Sequence, residues 1–179
     1  MTGKKQKKPK NVTAAQKKDF WEEHLPYEIE MMRAIHHVAL QGSPTQAMHN
    51  AMIESLMVHC RNLIEFFKYN PPCDFSPTFF TEGTFRVNRN FINKSLYDKI
   101  NQQISHLTSA RTSVSKDKLG PYEWGQIIDA IEKELVRMEA ALTPAWRADW
   151  KFTKPTTVQS GSGTGSSSQI ATIGGGSTL

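Results

Sequence analysis

The stretch "KINQQISHLTSAR", residues 99–111, sets Lys99 and His106 seven positions apart. On an α-helix seven residues return to within about 20° of the same direction, so the two side chains share a stripe, with Gln103 between them. A cation and a histidine placed this way match metal-free cleavage of a phosphodiester. The ammonium would hold the scissile phosphate and its developing charge, and an imidazole with an ordinary pKa near 6.5 would move the proton. The plainer reading is that Lys99 runs its alkyl stem along a bundle edge while His106 packs there. Spacing alone favours the plainer reading, because basic residues and histidines seven apart are common.

Charge does not add a nucleic-acid surface to the domain. The chain has 22 basic and 17 acidic residues among 179, a net charge of +5. The opening decamer "MTGKKQKKPK" holds Lys4, Lys5, Lys7, Lys8 and Lys10, five charges that equal the whole excess. The rest is close to neutral, so any non-specific attraction to polyanions is expected in that arm. Cys60 and Cys73 have neither CxxC nor zinc-ligand spacing and read as free thiols in a reducing compartment. The basic start leads into polar sequence rather than an apolar signal core, and no apolar run approaches the roughly 20 residues that span a bilayer. A cytoplasmic location with no membrane contact is the expectation.

Helical periodicity recurs along the chain. "TAAQKKDFWEEHL" predicts a short helix capped by Thr13 and ending near Leu25, since a residue before proline avoids helical geometry. Ile29, Met32, Ile35, Val38 and Ala39 predict a second helix that Gly42 stops. "SPTQ" predicts a third, with Ser43 as N-cap and Pro44 in the first turn, carrying Met52, Leu56, Cys60, Leu63 and Phe67 inward. The segment to about Val87 is an irregular loop whose Phe75, Phe79, Phe80 and Phe85 should fold back, because exposed together they would aggregate. A helix over 90–111 presents Ile92, Leu96, Ile100, Ile104 and Leu107. Another opens at Pro121 and turns in Trp124, Ile127, Ile128, Ile131, Leu135 and Met138, with Trp146, Trp150 and Phe152 available to dock beyond Pro144. Amphipathic helices must cover one another's stripes, so the fold expected is an all-α antiparallel helical bundle. It occupies residues 13–153, between a disordered basic arm (1–12) and a disordered Gly/Ser/Thr-rich tail (154–179).

"ESLMVHCRNLIEFF" (54–67) and "KINQQISHLTSAR" are similar to an uncharacterised bacterial helical family, with motifs of the form ESFLxHxRNLxxFF and RINKxIAHLTxxR. The second motif resembles the Arg-spacer-His motif of HEPN domains. That resemblance implies a HEPN-like bundle, a metal-independent endoribonuclease of toxin–antitoxin or anti-phage type, RNA as substrate, a homodimer and a neutralising protein partner. It places His106 at the motif histidine and Lys99 at the arginine position. Two departures stand against catalysis: lysine cannot grip phosphate bidentately as arginine does, and Ile100 follows where a polar residue is favoured. Arg111, at the helix end, is a candidate second cation. His59 and Arg61 are candidates to line the same groove, although Arg61 and Glu65 also read as an i,i+4 surface pair. His36 and His37 are adjacent and point apart, and there is no HExxH or Gly-rich phosphate loop, so no metal or cofactor is expected. The alternative function is a non-catalytic helical protein-interaction module.

Overall fold

A computed structural model describes residues 12–42, 45–68, 75–104 and 119–152, with 102–104 described by backbone alone. In chain order it contains α1 (Ala14–Asp19), a π-helical turn (Phe20–His24), α2 (Leu25–Gln41), α3 (Gln46–Lys68), a 3-10 turn (Pro77–Phe79), α4 (Lys94–Ile104), α5 (Pro121–Ala141) and α6 (Pro144–Arg147). No strand forms among the described residues. A single antiparallel bridge, Thr81 to Leu142, ties the aromatic loop to the end of α5. The chain is an all-α bundle, as its periodicity predicts.

The first helix does not stop at Leu25. Thr13 caps it as expected, accepting from the Gln16 N–H at 3.2 Å while Gln16 Oε1 accepts from the Thr13 N–H at 2.9 Å. Leu25, however, stays helical (φ −64°, ψ −44°), and its N–H donates to Phe20 O, five residues back. The wider π turn relieves the clash that Pro26 would make with the carbonyl four residues before it, so the helix passes the proline. Trp21 is buried within that turn. Gly42 ends α2 at φ 89°, a conformation that favours glycine.

Two helix starts lie elsewhere than predicted. Ser43 and Pro44 are outside the described residues, and α3 begins at Gln46 with the Thr45 hydroxyl accepting from the Met48 N–H at 3.2 Å. The helix predicted from Asn90 begins at Lys94. Asn93 Oδ1 accepts from the Ser95 N–H at 2.8 Å, an N-cap that outcompetes helix over 90–93.

α3 is the centre of the bundle, contacting α2, α4 and α5. Leu56, Cys60, Leu63, Ile64 and Phe67 are buried, and Ile29, Met32, Ile100, Ile127 and Ile131 close over them. Val38, predicted inward, is 46% exposed. The inner face of α2 runs instead through Leu25, Ile29, Met32 and Ala39. α2 and α3 are antiparallel, since Glu28 near the start of one meets His59 and Asn62 near the end of the other. The predicted return of the aromatics is present. Phe80 packs on Trp21 (ring centroids 4.9 Å apart) and Trp146 (5.2 Å), and Phe75 stacks on Phe20 at 4.1 Å.

Candidate functional site

The Asn93 cap fixes where α4 starts, and the burial of Ile100 fixes its rotation. Lys99, one residue earlier, therefore stands at the flank of the buried face. Its Nζ lies 3.5 Å from Glu123 Oε1 of α5. Glu123 is at the third position of its helix and reaches back, its Oε2 accepting from the Gly120 N–H at 3.0 Å. Burial pushes the Glu123 carboxyl upward, but the Gly120 N–H and the Lys99 charge outweigh it and hold the group below its ordinary value. The pair borders an open cleft of about 400 Å³ that also takes in Asn93, Ser95, Tyr122 and Gln126. A phosphate approaching the Lys99 ammonium would meet the Glu123 carboxylate beside it.

His106 and Arg111 lie outside the described residues. His59 and Arg61 are described, and neither lines the Lys99 cleft. His59 is buried (7% exposed), with Nδ1 2.7 Å from Glu28 Oε2. The other oxygen of Glu28 accepts from Asn62 Nδ2 at 3.1 Å, and the Tyr27 ring meets the imidazole edge-on at 5.5 Å. This is an interhelix lock between α2 and α3. Arg61 Nε donates to Glu65 Oε1 at 3.0 Å, the i,i+4 pair that spacing suggests. Among the described residues no three His, Cys, Asp or Glu side chains gather to hold a metal ion.

A buried, bidentate ion pair lies apart from the residues that the sequence singles out. Glu132 is buried on α5 and receives Arg33 of α2 bidentately, Nε to Oε1 and Nη2 to Oε2, both at 2.8 Å. The same Nη2 donates to Phe152 O at 3.1 Å. Glu134, also buried, accepts from Arg137, which in turn donates to Arg86 O in the loop at 3.1 Å. The pattern held a signal for Glu132: Ile128, Glu132 and Leu135 are spaced four and three apart, which puts a carboxylate in the apolar stripe. Arg33 stands likewise four residues after Ile29.

Together the fold and the site define an all-α bundle whose helices are joined across the core by paired charges. No helix among the described residues is long and apolar enough to cross a membrane. No protein family, curated protein or solved structure matches the chain.

Proposed function

We propose that the protein is a non-catalytic interaction module, a helical bundle that receives a polar segment of a protein partner in the cleft between α4 and α5. One observation carries this reading: Lys99, the residue in phosphate-gripping position, is paired with Glu123, whose carboxylate would repel a phosphodiester. The cleft suits a peptide better. Its wall offers the Gln126 amide and the Asn93 Nδ2 for backbone hydrogen bonds, while Asn93 Oδ1 is held by the Ser95 N–H and hydroxyl. Tyr122 stands 76% exposed at the rim, an amphipathic anchor of the kind enriched at protein interfaces. Neutral charge outside the lysine arm fits a partner that is not a polyanion, and the work is placed in the cytoplasm.

The second reading is a HEPN-like ribonuclease acting through Lys99 and His106, working as a homodimer held in check by a neutralising partner. What supports it is the motif resemblance and the opening of the cleft beside Lys99, whose side chain is a third exposed.

Two measurements separate these readings. Purified protein, free of any partner and in EDTA, is incubated at high concentration with a mixed RNA pool. Wild type and Glu123→Gln, which uncovers Lys99, should both leave RNA intact. Cleavage lost in Lys99→Ala and His106→Ala would overturn the module and establish the ribonuclease. A photo-cross-linking benzoylphenylalanine at position 122 should give one discrete protein adduct in cells. The same group at exposed Val136 should not. An RNA adduct from position 122 would also overturn the module.

A further inference from the structure

A second groove, of about 500 Å³, runs where the π turn and the start of α2 face the segment 149–152. Its charge is lopsided. Glu22, Glu23, Glu30 and Asp149 line it, against Lys151 alone. Glu22 has a distant, exposed partner in Lys18 at 3.8 Å. Glu23, Glu30 and Asp149 form no ion pair among the described residues. The apolar part of the wall includes Tyr27, 55% exposed, and Phe152. Carboxylates above aromatic faces form a seat for long cationic side chains, because the alkyl stem lies on the ring and the ammonium meets the acid. The chain uses this chemistry nearby: Lys17 Nζ sits 4.7 Å over the Phe79 ring.

We propose that this groove is the docking site of the chain's own lysine-rich opening segment, Met1–Lys10. Charge complementarity is the first reason, five lysines against an acidic groove in a chain otherwise close to neutral. Reach is the second. From Thr13 to Glu22 the helix rises about 14 Å, and to Glu30 about 26 Å, at 1.5 Å per residue. An extended chain turning back at Thr13 covers roughly 17 Å by Lys8 and roughly 30 Å by Lys4, at about 3.3 Å per residue. The spacing of the lysines thus matches the spacing of the acids. Docked, the arm is screened from polyanions, so the bundle controls the one basic segment it carries.

Zero-length carbodiimide cross-linking of the full chain, mapped by mass spectrometry on a mixture of labelled and unlabelled protein, tests this. Within-chain links from the arm lysines to Glu23, Glu30 or Asp149 are expected. They should vanish as the screening length falls from about 10 Å at 0.1 M salt to about 3 Å at 1 M. The triple variant Glu23→Gln, Glu30→Gln, Asp149→Asn should abolish the links. It should also tighten binding of a poly(U) oligonucleotide about tenfold, if the arm is docked nine-tenths of the time. With the five arm lysines changed to glutamine, the same triple variant should leave poly(U) affinity unchanged, which separates unmasking from a general charge effect. Links only between chains would assign the groove to a second copy's arm and overturn the proposal. Links dominated by Lys154, no links, or equal poly(U) affinity with and without the acidic residues would overturn it too.

Discussion

Replacing Arg33 with methionine should destabilise the bundle far more than an ordinary surface substitution. The change keeps most of the side chain's volume and removes the charge that Glu132 faces. Glu132 has a side chain only 7% exposed, and both its oxygens are engaged by the guanidinium at 2.8 Å. Left alone, the carboxylate is a buried charge without a partner, a state that costs about 3–5 kcal/mol. Arg33 is itself 29% exposed, so water reaches the site once the guanidinium is gone, and the lower end, about 3 kcal/mol, is expected. For a chain of this size that corresponds to a fall in Tm of roughly 6–12 °C. Loss of the Phe152 carbonyl contact should loosen the end of the described chain in the same variant. The double variant Arg33→Met, Glu132→Leu replaces the pair by two apolar side chains and should recover most of the loss, because such exchanges are often neutral or stabilising. Urea unfolding of wild type, both single variants and the double variant gives the full cycle. If Arg33→Met lowers stability by less than about 1 kcal/mol, or the double variant is no better than the single, the pair does not hold α2 to α5 as described.

Leu63→Ala should cost about 2–5 kcal/mol in the same urea assay, since Leu63 is 1% exposed in the helix at the centre of the bundle. Glu123→Gln should cost roughly 0.2–1 kcal/mol at neutral pH. Because the folded protein holds Glu123 below its ordinary value, its contribution is present above the unfolded carboxyl range and lost as pH falls through the folded one. The difference between wild type and Glu123→Gln should therefore close in strong acid, and a gap independent of pH would refute the Lys99 and Gly120 contacts. Burial pushes the Cys60 thiol upward, so the native protein should resist alkylation at Cys60 near neutral pH and react on unfolding, as read by peptide mass spectrometry.

Apolar periodicity made the α3 and α5 stripes legible, and every residue assigned to the α5 stripe is buried. The aromatic loop was legible for a different reason, the cost of leaving so many rings in water. Failures came where a local rule met a tertiary one. Pro26 is a helix breaker by local geometry, yet a π turn carries the helix through, because Trp21 within the turn and Leu25 directly after it are both held in the core. Val38 has the right spacing but stands in the last turn of α2, 46% exposed among the described residues, while its neighbour Ala39 turns inward. The candidate site was legible only in part. Glu65 is visible as the partner of Arg61, four residues away on its own helix. Glu123, Glu28 and Glu132 sit on other helices from Lys99, His59 and Arg33, and no pattern within one helix announces a partner 24, 31 or 99 residues away.

The seating of Trp21 bears on the order in which the chain is made. Its ring lies 5.3 Å from both Trp146 and Trp150, so the seat is built from residues translated some 125 positions later. At about 5–20 residues per second, synthesis of that interval takes roughly 6–25 s. Through all of it Trp21 lacks two of its three ring neighbours, and the helical turns around it lack the tertiary packing from which most helical stability comes. The turns around Trp21 leave the ribosome ahead of the other described helices and are thus among the last to find their place, so completion of this packing waits on Trp146 and Trp150.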